Sequence, residues 1–247
     1  MLLFGLDIGG SGIKGAPVNL ETGELAAERF RVETPKPARP EDVAEAVKQV
    51  LDHFDWKGPV GVGFPTIVVK GQCKSQSNLH KDWVNVHIDQ LFKEHCGNDF
   101  VVINDADAAG LAEMTYGAGK GQDGLVVTVT LGTGIGSGVF YDGQLIPNFE
   151  FGHLRYKKHK PVEKYAADSI RKKKDLNDRD WADRLNYFFH YVNRVCSPDL
   201  IIVGGGASKR WDDLEPLFSG DVPLAVAQTR NEAGIIGAAM ASRKMAS

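Results

Sequence analysis

Short apolar runs broken by glycine-rich turns alternate along the chain with stretches whose apolar positions recur at helical spacing. Leu2–Asp7, Val60–Phe64, Phe100–Ile103, Leu125–Thr130, Gly136–Tyr141 and Leu200–Val203 read as β-strands, being too short for helices and bounded by turn residues. Residues 40–54 read as a helix. Pro40 suits its first position, Glu41 and Asp42 suit its positive end, and Val43, Val47, Val50, Leu51 and Phe54 share one face. A second helix is predicted over about 180–196, with Trp181, Leu185, Phe188, Val192 and Val195 on one stripe and Pro198 beyond its end. A third, over about 231–243, is rich in small residues (Ala233, Gly234, Gly237, Ala238, Ala239), which permits close packing. Thr34–Pro40 is a breaker, and the mixture predicts an α/β protein.

Composition narrows the class. At 247 residues, 43% hydrophobic and 25% charged, the chain can build one large α/β domain or two small lobes. Its longest apolar runs, Gly124–Leu131 and Leu200–Val203, are too short to span a bilayer, and no basic n-region follows Met1, so no membrane partner or signal peptide is expected. Cys73, Cys96 and Cys196 are too far apart for a CxxC site and odd in number, which points to reducing cytoplasm. The net charge of −3 hides an asymmetry: Arg155–Lys174 holds nine Lys/Arg against Glu163 and Asp168, a local charge of +7. Such a run is either a solvated face or a polyanion site.

A weak internal repeat carries the first chemistry. Leu6-Asp7-Ile8-Gly9-Gly10-Ser11-Gly12-Ile13-Lys14 is similar to Thr130-Leu131-Gly132-Thr133-Gly134-Ile135-Gly136-Ser137-Gly138, a strand entering a Gly/Ser/Thr turn and leaving as another strand. Glycine allows positive φ and close approach, so successive N–H groups can converge on a phosphate, with Ser11, Thr133, Ser137 and Lys14 as further donors. Asp7 would repel phosphate but suits Mg²⁺. The alternative is a pair of ordinary tight hairpins. Gly10–Gly15 also matches GxGxxG, yet Pro17 falls where a dinucleotide fold needs helix interior, and no GxxxxGK[ST] is present.

Asn104-Asp105 ends an apolar strand where a helix is expected to begin, so the pair either caps that helix or delivers a carboxylate to the strand's carboxyl end. Phosphoryl transfer to an alcohol needs such a carboxylate to accept the hydroxyl proton. Glu150 and His153, and Ser77-Asn78 with Trp83 as an apolar wall, are further polar clusters able to hold a polyol.

Asp7–Lys14, Asn104-Asp105, Leu131–Gly138, Glu150–His153 and Val203–Gly206, in this order over essentially the whole chain, resemble the ROK family of sugar kinases. The resemblance implies a two-lobed, actin-like (ribonuclease-H-like) ATPase fold with a cleft between lobes. The expected small lobe is 1–110 plus 230–247, and the large lobe 111–229. It also implies Asp105 as general base toward a sugar 6-hydroxyl, with Asn78, Asn104, Asp105, Glu150, His153 and Glu163 holding the sugar. Gly9, Gly10, Ser11, Gly12, Lys14, Gly132, Thr133, Gly134 and Gly136 would grip the phosphoryl donor, and Gly204, Gly205 and Gly206 the nucleoside of ATP. Many members carry a CxCGxxGCxE zinc motif after the histidine. Here Leu154–Pro161 contains no cysteine, so no structural zinc is expected.

Within the family the chain is similar to glucokinases that use inorganic polyphosphate, through Asn104–Glu113 and Leu131–Ser137. The basic run fits that donor, because lysines bind polyanions largely through counterion release. Arg171, Lys172, Lys173 and Lys174 are the proposed contacts, and their lack of an aromatic neighbour in sequence argues against nucleic acid. The expected substrates are glucose with polyphosphate or ATP, with Mg²⁺, and a homodimer is expected from the resemblance alone. An ATP-dependent hexose kinase is the alternative. Family members that repress transcription carry an N-terminal helix-turn-helix, for which a strand beginning at Leu2 leaves no residues.

Overall fold

A β-hairpin opens the chain: β1 (Leu2–Ile8) turns through residues 9–12 into the antiparallel β2 (Ile13–Asn19), with Ile8 opposite Ile13. The structure, a computed structural model, describes residues 1–158, 160–220 and 222–245, so the last two residues of the expected C-terminal return lie outside the described residues. The chain divides into two units, Met1–Ala112 with Glu232–Ser247, and Glu113–Asn231.

In the first unit, β3 (Glu24–Leu25) and β4 (Phe30–Val32) pair with β2, while β5 (Val60–Phe64) and β8 (Phe100–Asn104) continue the sheet parallel to β1. The strand order is β3-β2-β1-β5-β8. A short hairpin of β6 (Val68–Val69) and β7 (Gln72–Cys73) follows β5. Helix α1 (Pro40–His53) starts on Pro40 with Glu41 and Asp42 in its first turn and buries Val43, Val47, Val50 and Leu51. Helix α2 (Ile88–Cys96), which the sequence pattern did not reveal, buries Ile88 and Phe92 and ends on Gly97 in the left-handed region. Helix α3 (Asp105–Tyr116) leaves β8 directly.

The small-residue helix is α8 (Ala233–Ala241), and it packs closely on β1 and β5. A Cβ on Gly5 would lie 1.9 Å from the Ile235 carbonyl oxygen, and one on Gly61 would lie 1.7 Å from that of Ala238. Trp83 is not a sugar wall. It is 1% exposed, packs against Phe64 and Phe92, and donates its indole N–H to the Ala38 carbonyl at 2.9 Å, so its bulk belongs to the core.

The second unit repeats the plan. β9 (Leu125–Leu131) turns into the antiparallel β10 (Ile135–Tyr141), β11 (Gln144–Ile146) extends that edge, and β14 (Leu200–Gly205) and β15 (Leu224–Val226) run parallel to β9, giving β11-β10-β9-β14-β15. A hairpin of β12 (Arg155–Tyr156) and β13 (Lys160–Pro161) precedes α4 (Glu163–Ala166) and α5 (Asp168–Lys173). Helix α6 (Asp178–Cys196), capped by the Asn177 side chain, buries Trp181, Leu185, Phe188 and Val192. Val195 departs from the expected stripe: it is 51% exposed, and Cys196 packs against the core instead. A one-turn helix, α7 (Trp211–Leu214), completes the unit.

Candidate functional site

The two glycine turns are hairpin connections, the first of residues 9–12 and the second of residues 132–134. Their glycines are not there for positive φ, since none of Gly9, Gly10, Gly12, Gly132 or Gly134 has it. Gly12 and Gly134 serve close approach. Gly10 and Ser11 are exposed at the first tip, and Gly12 lies buried beneath Arg31, whose Nε would be 2.4 Å from a Cβ there. Arg31 also donates to the Ser11 carbonyl. In register, Asp7 faces Lys14 on β2 and Lys14 faces Arg31 on β4, so the three charges form one row across the sheet beside the turn. The Lys14 ammonium is 3.2 Å from the Asp7 carboxylate. Arg31, with Thr34 donating to the Gly9 carbonyl, escaped the sequence reading, because strand pairing rather than proximity in sequence brings them to the turn.

Asn104 and Asp105 divide two tasks. Asn104, 6% exposed, accepts the N–H groups of Ala106 (2.8 Å) and Asp107 (3.1 Å) and donates to the Thr66 carbonyl at 3.0 Å. It therefore caps α3, the alternative role recognised in the sequence. That capping fixes the half-buried Asp105 at the carboxyl end of β8, where its Oδ1 accepts the Ala106 N–H at 2.9 Å. Asn78 is exposed beside the first turn, its Cβ 3.7 Å from where a Cβ on Gly10 would be.

In the second unit, Glu150, His153 and Glu163 are brought within electrostatic reach of one another. Burial pushes the Glu150 carboxyl above its ordinary value, His153 opposes this, and Glu163 adds to it. Glu163 also lies against the second turn, since a Cβ on Gly134 would be 2.5 Å from its Oε2. Gly132 and Thr133 are exposed, whereas Gly136 lies in β10 just past the turn. Gly204 and Gly205 end β14, and Gly206 begins a 3₁₀ turn. Gly205 needs to be glycine twice over, for its φ of 73° and because a Cβ would meet the Leu131 backbone.

The basic run splits. Arg155, Lys157, Lys158 and Lys160 lie on or beside the β12–β13 hairpin and are exposed, with Tyr156 stacked on Tyr165 at 3.9 Å. Arg171 and Lys172 engage the buried carboxylate of Asp168 at 2.8 and 2.7 Å, while Lys173 and Lys174 are exposed. Burial alone would raise the Asp168 carboxyl, but hydrogen bonds from Lys172 and Arg171 outweigh it and hold it below its ordinary value.

A Mg²⁺ ion at Asp7 would find one partly exposed carboxylate already shared with Lys14. Among the described residues no group of three or more His, Cys, Asp or Glu is placed to hold a metal. This donor set fits an ion carried in by phosphate oxygens with its waters, not an all-protein cage. Among the described residues no helix is long and apolar enough to cross a membrane.

Comparison with known proteins gives the family and the fold. The family model described as "ROK family" matches residues 3–166. The polyphosphate glucokinase of Mycobacterium tuberculosis (strain CDC 1551 / Oshkosh) is 45% identical over 240 residues, covering 97% of this chain and 90% of its own. The crystal structure of an inorganic polyphosphate/ATP-glucomannokinase from Arthrobacter sp. strain KM superposes with a TM-score of 0.92 at 47% identity, covering 97% of each chain. A ROK family glucokinase from Streptomyces griseus, solved with glucose and AMPPNP, shares the fold with a TM-score of 0.82 at 24% identity, covering 99% of this chain and 100% of its own. On that match and these identities the chain belongs to the ROK family and has its two-lobed, actin-like ATPase fold.

Proposed function

We propose that this protein is a glucokinase that moves the terminal phosphoryl group of inorganic polyphosphate, and also of ATP, to the 6-hydroxyl of glucose. The observation that carries the reaction type is the Asn104-Asp105 junction, where a capping amide holds a carboxylate still at the end of a strand. Asp105 accepts the proton of the attacking hydroxyl, so negative charge grows on the nucleophile as the donor's phosphoryl group departs. Asn78 and the remaining amide hydrogen of Asn104 bind sugar hydroxyls, as do the carboxylates of Glu150 and Glu163 and the imidazole of His153.

The exposed tips of the two glycine turns bind donor phosphates, with Lys14 adding charge to the first. Gly204–Gly206 receives the nucleoside when ATP is the donor. Asp7 would hold a Mg²⁺ ion carried in with the donor, which would supply positive charge against the phosphates. The donor class is supported by the polyphosphate-named relatives and by the exposed cations Lys157, Lys158, Lys160, Lys173 and Lys174, with Arg171 and Lys172 beside them. Cytoplasmic location and a homodimer fit this reading.

Asp105→Asn tests it. The amide keeps shape and hydrogen bonding but cannot take the proton, so kcat should fall by about 10²–10⁴-fold while the glucose dissociation constant stays near that of the wild type. A kcat within severalfold of wild type would remove Asp105 as the base.

A further inference from the structure

All three carbonyls of the second glycine turn are occupied. The Gly134 carbonyl accepts the Gly132 N–H at 3.0 Å, the Gly132 carbonyl accepts the Ser169 N–H at 3.0 Å, and the Thr133 carbonyl accepts the Ser169 hydroxyl at 2.6 Å. Two of the three thus lead to one side chain and backbone, at the second residue of α5. The consequence for an anion is direct. A carbonyl oxygen turned toward a phosphate repels it, whereas N–H and hydroxyl groups attract it, so a turn with its carbonyls tied back offers only donors. The same turn is open to a ligand at Gly132, where an added Cβ would meet nothing within 4 Å.

The residue before Ser169 is anchored in turn. Asp168 is 4% exposed, takes the Arg171 Nε at 2.8 Å and the Lys172 ammonium at 2.7 Å, and fills the space at Gly206, where a Cβ would be 2.7 Å from its Oδ2. Arg171 also lies over the indole of Trp181, 5.1 Å from the ring centre, and Trp181 is fully buried. One short helix is therefore tied to the second glycine turn through Ser169 and wedged against the third through Asp168.

We infer that α5 is a positioning strut for the phosphoryl donor: Ser169 holds the carbonyls of the second glycine turn away from it, and Asp168 with Arg171 and Lys172 anchors Ser169. It follows that the four adjacent cations are not equivalent. Arg171 and Lys172 serve every donor, through the turn, while Lys173 and Lys174 serve only a long polyanion. This inference rests on the reading of residues 132–134 as a donor site.

Steady-state kinetics of the full chain test it, with polyphosphate and ATP as donors and glucose as acceptor, for Ser169→Ala, Ser169→Thr, Gly132→Ala, Arg171→Gln and the double variant Lys173→Gln/Lys174→Gln. Ser169→Ala should raise KM for both donors about fivefold, the scale of one net hydrogen bond. Glucose KM should stay as in wild type, and Ser169→Thr should restore donor KM. Gly132→Ala puts a methyl into open space and should raise donor KM without loss of stability. Arg171→Gln should raise KM for both donors in proportion, and the lysine pair for polyphosphate alone. If Gly132→Ala raises donor KM but Ser169→Ala does not, or if Ser169→Ala shifts glucose KM as strongly, the strut is overturned while the donor site stands. If neither variant moves donor KM, the turn is not a donor site, and the inference falls with that reading.

Discussion

Glu150 shows how a single environment sets chemistry. Burial raises its carboxyl above the ordinary 4.5, His153 pulls it down, and the Glu163 carboxylate pushes it up. With the folded value above the unfolded one, the native state binds more protons in that window, so Glu150 lowers stability as pH rises through it. A protonated carboxyl accepts sugar hydroxyls less well, so glucose affinity should weaken on acidification at a higher pH than for an ordinary carboxylate. A carboxyl NMR titration should give Glu150 a midpoint above 4.5 that falls in Glu163→Gln, and a midpoint at or below 4.5 in the wild type would contradict the assignment. At this scale the position of Asp105 was legible, because an apolar strand ends just before it. Arg31, Asp168 and Ser169 were not: strand register and the seating of a six-residue helix bring them to the turns, and neither is written as a local pattern. Trp83 misled because an indole beside Asn78 looks the same in sequence whether it lines a site or fills a core.

Among elements, the helices α1 and α6 were legible through the period their buried faces impose, the apolar strands as short apolar runs, and α8 through its run of small residues. The two- and three-residue strands β3, β4, β11 and β15 were not, being too short to carry any period. Helix α2 was missed although Ile88, Leu91, Phe92 and the Gly97 stop are its signals, because its nine residues hold barely two turns of pattern. The glycines of the turns were expected to give positive φ and close approach; the structure uses none of them for positive φ, and Gly12 and Gly134 for approach. The close fit of α8 gives a test. Gly61→Ala would drive a methyl into the Ala238 carbonyl, 1.7 Å away, and should cost about 3 kcal/mol as overpacking. A urea midpoint equal to wild type would show that α8 can lift from β5 without penalty.

Over the whole molecule, the internal repeat read from sequence is a repeat of architecture. Both sheets are built as a hairpin around a glycine turn, flanked on one side by strands parallel to its first member. Each unit contributes one such turn, and in the second unit the turn is held by the same short helix whose outer residues carry part of the basic run. A net charge of −3 coexists with this +7 segment, so attraction of a polyanion is local and screened by salt rather than a property of the protein's overall charge. The donor is therefore where the account is most exposed to test. Glucose 6-phosphate formation by purified protein with Mg²⁺ should be faster with polyphosphate than with ATP at matched phosphoryl concentration, and raised salt should weaken polyphosphate use more than ATP use. Turnover with ATP alone, or a polyphosphate rate indifferent to salt, would contradict the polyanion reading and reduce the basic run to surface charge.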